Sequence, residues 1–179
     1  MRLFVSVNLS SAVENYLLSV QRELNQNYAK LTLPLGLHLT LKFLGEIGDN
    51  ELPEVSLALK AVKFNRFKAN LDNVGIFPNE YETRIIWVGA EPKHEFDELF
   101  RKIDSKLSKF VRNDREFRPH ITLARVKFVK DRQGLLSILK NLKIEKKEFG
   151  VDAFYLMKST LTPEGPVYEV VEQFKAVDD

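Results

Sequence analysis

The sequence predicts an α+β fold of two similar lobes, with antiparallel sheets facing a central cleft and helices packed outside. Three observations predict it. Strand-like alternation and helix-like spacing of apolar residues mix along the whole chain, with no low-complexity tract or linker between them. Nearly the same tetrapeptide occurs twice, as His38-Leu39-Thr40-Leu41 and as His120-Ile121-Thr122-Leu123. The copies lie 82 residues apart, close to half of the 179-residue chain, and each half supplies strands and one long helix. That length suits one substantial core, so residues 1–179 read as a single two-lobed domain.

The elements follow in order. Arg2 to Asn8 alternates as a strand, with Leu3, Val5 and Val7 on one face. Ser11 to Glu14 has the form of a capping box, and Val13, Leu17, Val20 and Leu24 then recur at helical spacing, giving a helix that ends near Tyr28. Pro34 and Gly36 punctuate the approach to the first motif strand, Leu37 to Leu44, and Gly45 and Gly48 close it. A second helix is expected from about Leu52 to Val62, with Pro53 in its first turn. Phe67 to Phe77 and Arg84 to Ala90 form strands joined through Pro78-Asn79-Glu80-Tyr81. A third helix, about Pro92 to Phe110, buries a stripe of Phe96, Leu99, Phe100, Ile103 and Leu107. The charged loop Arg112 to Glu116 leads to the second motif strand, Ile121 to Phe128. A short helix, about Gln133 to Leu142, precedes the strands Phe149 to Met157 and Val167 to Phe174, which meet at the turn Thr162 to Pro166.

Composition narrows the function. A hydrophobic content of 44% with 29% charged residues is that of an ordinary globular protein, not a disordered one. No apolar run nears the roughly 18 residues a membrane helix needs. Met1 to Val5 enters a strand at once with no signal-peptide core, so a cytoplasmic protein without a membrane partner is expected. The absence of cysteine excludes disulfides, thiolate nucleophiles and Cys-ligated zinc. At a net charge of +2 there is no broad cationic field, so any nucleic acid is met locally, at a few basic residues. No Gly-rich phosphate loop is present, which disfavours ATP-driven chemistry.

The chemistry rests on the repeated motif. On a strand, residues i and i+2 share a face and stand roughly 6.5–7 Å apart, so His38 projects with Thr40 and His120 with Thr122. One His-x-Thr alone is a weak signal; two copies in a chain with a single further histidine are a strong one. With a reference pKa of ~6.5, one imidazole can activate an incoming oxygen while the other protonates a departing one, as in-line displacement at phosphorus requires. The threonine hydroxyls can donate to the non-bridging oxygens. Arg125 offers a guanidinium fork for phosphate, although strict alternation turns it from the His120 face unless the strand carries a bulge or strong twist. Lys42, on the His38 face by the same alternation, is a weaker substrate-binding candidate. His94, among Glu91, Lys93 and Glu95, reads as solvated. Two histidines are also half a zinc set, but threonine is a poor zinc ligand and no further histidine cluster exists, so no metal or other cofactor is expected.

The stretches Gly36 to Glu46 and Phe117 to Arg125 resemble the two signatures of the RNA 2′,3′-cyclic phosphodiesterases, formerly called 2′-5′ RNA ligases, in the two-histidine phosphoesterase superfamily. The likeness extends to Arg2 to Val7, Gly75 to Pro78, Arg84 to Gly89, Ser159 to Thr162 and Gly165 to Tyr168, so that it covers nearly the whole chain in order. Archaeal members are the most similar, especially along Arg125 to Leu135. The resemblance implies hydrolysis of a 2′,3′-cyclic phosphate at an RNA end to a 2′-phosphate without metal or nucleotide cofactor. It implies His38 as proton donor to the leaving 3′-oxygen, His120 as proton acceptor from water, and Arg125 as phosphate contact. Many relatives carry a tryptophan shortly before the first motif, where this chain has Lys30 to Leu35. RNA ends bearing a cyclic phosphate, tRNA fragments or small nucleotides among them, are the expected partners of a monomer. Two other readings remain: 2′-5′ ligation by the same site run backwards, and an RNA-binding module without turnover.

Overall fold

A computed structural model describes residues 1–24, 27–114, 116–163 and 165–177. Within these the elements are β1 (Arg2–Asn8), α1 (Ser11–Glu23), β2 (Ala29–Thr32), β3 (His38–Glu46), α2 (Leu52–Lys60), β4 (Phe67–Phe77), β5 (Ile85–Glu91), α3 (Lys93–Lys106), β6 (His120–Val129), α4 (Arg132–Asn141), β7 (Glu148–Val151), β8 (Ala153–Thr162) and β9 (Gly165–Lys175). The mixed architecture of antiparallel strands and helices is the one expected. Arg115 of the charged loop and Glu164 of the last turn fall outside the described residues, as do Asn25 and Gln26 at the expected end of the first helix.

The described strands form one sheet in the order β7-β4-β5-β6-β3-β1-β8-β9, with β2 added to β6. Its middle is a narrow seam, because β3 and β6 pair through Leu39 and Ile121 alone. On either side of the seam lie four strands, β3-β1-β8-β9 and β6-β5-β4-β7. The two groups match in register. Across β1 and β3 the partners are Asn8 with His38, Ser6 with Thr40, Val5 with Lys42 and Phe4 with Phe43. Across β5 and β6 they are Gly89 with His120, Trp87 with Thr122, Ile86 with Ala124 and Ile85 with Arg125. In both, one leucine after the motif threonine, Leu41 or Leu123, is passed over, which is a β-bulge. The duplication is real, but its units are not halves of the chain. The first lobe joins strands from both ends, and the second uses the middle.

The helices cover the face away from the motif side chains. Val13, Leu17 and Val20 of α1, and Phe96, Leu99 and Ile103 of α3, join Leu39, Leu41, Ile121 and Leu123 in one buried core. Fully burying a side chain of this kind is worth roughly 1.5–3 kcal/mol, so the alternation of β3 and β6 fixes which face turns outward. Helix α1 is capped by Ser10, not Ser11; its Oγ accepts from the Val13 amide at 3.4 Å. Glu14 does not close a box, because its carboxylate accepts the Leu37 amide at 3.2 Å and ties the approach to β3 onto α1. Helix α3 ends at Lys106, four residues short of expectation, where the Leu107 amide points to both the Ile103 and Ser105 carbonyls. The strand expected over Phe149 to Met157 is two, β7 and β8, divided at Asp152.

Candidate active site

His38 and His120 begin β3 and β6 on the two sides of the seam. Continued from the Leu39–Ile121 pair, antiparallel register sets His38 across from Thr122 and Thr40 across from His120. All four side chains line one cavity of about 490 Å³, together with Arg125. This volume is in the range of a small-ligand site.

Each imidazole is held in the same way. The Nδ1–H of His38 donates to the Gly36 carbonyl at 2.8 Å, and that of His120 donates to the Arg118 carbonyl at 2.7 Å. A carbonyl can only accept, so both rings carry hydrogen on Nδ1 and keep Nε2 for the cavity. The first loop manages this turn with Gly36 at φ +67°, a conformation that favours glycine. Aromatic rings then wedge the imidazoles. Phe4 stacks on His38 with centroids 4.9 Å apart, and Tyr168 meets it edge-on at 4.9 Å. Phe77 stands perpendicular to His120 at 5.0 Å, with Trp87 at 6.0 Å. The Trp87 indole lies across Gly75, where a Cβ would collide with it.

Burial pushes both imidazoles below their ordinary value of 6.5, since the cation loses hydration. The hydrogen bonds to Gly36 and Arg118 oppose this, because they favour the protonated ring. The charges of Arg125 and a protonated His120 lower His38 further, and that of Arg118 lowers His120.

The two bulges decide what joins the histidines. In β6 the bulge at Leu123 reverses the alternation, so Arg125 turns to the cavity while Ala124 is buried. The Leu123 carbonyl accepts the Gln21 side-chain amide at 2.8 Å, so α1 fastens this bulge from behind. In β3 the same device acts on Lys42 with the opposite result. Alternation placed Lys42 beside His38 and Thr40, but the bulge at Leu41 carries it to the core face, and it does not line the cavity. There it is 2% exposed, and its ammonium donates to Asp104 at 2.6 Å, the Arg112 carbonyl at 2.7 Å and Asp114 at 2.9 Å. Phe43 takes the cavity position instead. His94 is exposed at the start of α3, as expected.

Sequence reasoning also missed the aromatic wedges and Arg2, a second cation on the cavity wall. The signal for Phe4 and Trp87 was present: each is a large aromatic on the face of its strand opposite the regular apolar residues. Among the described residues, no three His, Cys, Asp or Glu side chains gather to hold a metal ion. No helix there is long and apolar enough to cross a membrane.

Residues 10–162 match the model of the 2′-5′ RNA ligase superfamily. An RNA 2′,3′-cyclic phosphodiesterase of Methanocaldococcus jannaschii is 34% identical over 179 residues, covering 97% of this chain and 100% of the relative. One from Archaeoglobus fulgidus is 34% identical over 178 residues, covering 98% and 100%. Among solved structures, TT0787 of Thermus thermophilus is similar with a TM-score of 0.81 and 33% identity, covering 98% of this chain and 97% of that one. Apo LigT of E. coli shares the fold with a TM-score of 0.78 at 21% identity, covering 99% and 98%.

Proposed function

Because the chain belongs to the 2′-5′ RNA ligase superfamily, we propose that it is an enzyme that hydrolyses 2′,3′-cyclic phosphate at RNA ends to 2′-phosphomonoesters. The observation that carries this reading is the single cavity in which two imidazoles present free Nε2 atoms beside two threonine hydroxyls and a guanidinium.

The shape of the cavity supports a direction for the reaction. Of the lining residues, only Ile85, His120, Thr122 and Arg125 belong to the second lobe. The remainder of the wall is on the His38 side, where there is room for a nucleoside. The leaving 3′-oxygen is part of that nucleoside, whereas the attacking water needs little space. The family resemblance implies His38 as the donor and His120 as the acceptor, and the uneven wall agrees with that polarity. Water attacks phosphorus as His120 Nε2 takes its proton, the P–O3′ bond breaks, and protonated His38 gives its proton to O3′. The 2′-oxygen keeps the phosphate, and solvent restores the two rings for the next turnover. Thr40 and Thr122 donate to the non-bridging oxygens, and Arg125 supplies fixed positive charge where negative charge develops. None of these steps draws on a metal ion. Ligation would need a 5′-hydroxyl end held at high effective molarity against water.

The test is hydrolysis of an oligoribonucleotide ending in a 2′,3′-cyclic phosphate, with EDTA present and the product identified by phosphorus NMR. A 2′-phosphomonoester formed at an undiminished rate is expected. A dominant 3′-phosphate would reverse the roles of the two histidines, and inhibition by EDTA relieved by zinc would replace the mechanism.

The rate also has an expected pH dependence. One ring must be protonated and the other neutral, so kcat/KM traces a bell. With both rings below 6.5 in the folded protein, the bell is displaced to acid and activity declines through neutrality as the last proton is lost. Stability runs the other way with pH. The unfolded chain binds more protons just below 6.5, so the stability held above that value is lost as pH falls through the folded values. A kcat/KM profile that keeps rising above about pH 7 would contradict the protonation states assigned to the free enzyme.

A further inference from the structure

We propose that Arg118 is a positioning residue that keeps His120 neutral once substrate is bound, so that Arg118 on one side of the seam and Gly36 on the other give two like histidines their unlike roles. The inference rests on the cyclic-phosphate reading above and adds what sorts the single proton between the two rings.

Arg118 and Gly36 hold equivalent places. Each lies two positions before its histidine, and its carbonyl accepts the Nδ1–H of that ring. At the first place there is no side chain. At the second a guanidinium stacks on Phe77 and Trp87, with its carbon 5.8 Å and 5.7 Å from their centroids. These are the two rings that wedge His120. The aromatic faces attract the cation and keep it near the imidazole. Arg118 is exposed, and among the described residues no carboxylate pairs with it.

Other charges face His120 as well. β3 brings His38, β6 brings Arg125, and β4 brings Asp72, whose carboxylate a Cβ on Gly89 would meet. β5 brings Trp87 and Gly89, neither of them charged. Asp72 favours the imidazolium, but it acts across Gly89, and its Oδ1 already accepts the Asn73 side-chain amide at 3.1 Å. Burial does most to lower His120, and the charge of Arg118 works in the same direction. Burial also does most to lower His38, with Arg125 adding to it. The two cations part company when substrate binds. A cyclic phosphate is an anion that settles against Arg125, which offsets that cation's effect on His38. Arg118 stands outside the cavity lining, so the phosphate does not cover it. The phosphate favours a proton on either ring, and Arg118 opposes this at His120 alone. The proton therefore goes to His38.

The test has two readouts on the wild-type protein, Arg118→Gln and Arg118→Lys: an NMR titration of the histidines without substrate, and the pH profile of kcat on a cyclic-phosphate-ended oligonucleotide. In Arg118→Gln the His120 ring should titrate at higher pH than in the wild type, with His38 nearly in place. The acid limb of kcat, which reports the base in the enzyme–substrate complex, should move toward neutrality while the alkaline limb stays. The rate then falls several-fold on the acid side of the bell and not on the other. Arg118→Lys, which keeps the charge, should restore both readouts. An unmoved His120 in Arg118→Gln, an equal shift of both rings, or movement of the alkaline limb would overturn the inference. The titration is read without turnover, so a protein that shows the His120 shift yet hydrolyses no cyclic phosphate would refute the proposed reaction and leave the Arg118 effect standing. Hydrolysis with an unmoved His120 would refute the inference alone.

Discussion

His38→Ala and His120→Ala should each lower kcat by roughly 10²-fold or more, the scale of general acid–base catalysis. KM should change far less, because Arg125, the threonines and the first-lobe wall still hold the substrate. The double variant should lose much less than the product of the two single losses. Without its acid, the site gains little from a base, since an unprotonated alkoxide leaves poorly whatever attacks; the converse holds without the base. Single-turnover hydrolysis of a cyclic-phosphate-ended oligonucleotide measures all three variants. Fully multiplicative losses would mean that the rings act independently, contrary to one concerted site.

The largest effect on stability should come from Asp104→Ala. Lys42 is buried, and its ammonium rests on Asp104, itself nearly covered, and on Asp114, whose side chain is half exposed. Removing Asp104 takes away the covered carboxylate and leaves the buried ammonium with only the half-exposed Asp114 and the Arg112 carbonyl, a loss of up to about 3–5 kcal/mol. For a chain of this size that corresponds to a fall in Tm of roughly 6–20 °C. Lys42→Met combined with Asp104→Leu should recover most of the loss, because an apolar replacement removes both desolvation penalties. A Tm change below about 2 °C for Asp104→Ala would show that water already reaches the ammonium.

Much of the site was legible in the sequence because strand periodicity is reliable over one step. His38 with Thr40, and His120 with Thr122, need only that residues i and i+2 share a face. The reading failed at the next step, where a bulge is invisible to period-2 counting. It assigned Lys42 to the cavity and left Phe43 out. For Arg125 the same count gave the wrong face, and only the chemistry of a guanidinium near a phosphate site called for the bulge that the structure contains. β2 was missed because Ala29 to Thr32 is short and borrows its pairing from Thr32 with Arg125 and Ala29 with Val129, far along the chain. Strand order was illegible for the same reason. Nothing local joins Leu3 to Lys158, yet β1 and β8 are neighbours.

That interleaving has a consequence for how the enzyme comes into being during synthesis. The lobe bearing His120 draws its four strands from one continuous stretch, β4 to β7. The lobe bearing His38 does not. β1 and β3 are made early and wait for β8 and β9, so Tyr168 reaches the edge of His38 only when the last hairpin has docked. The site around His38 is therefore complete only once the β8–β9 hairpin has joined β1, however early the rest of that lobe is made.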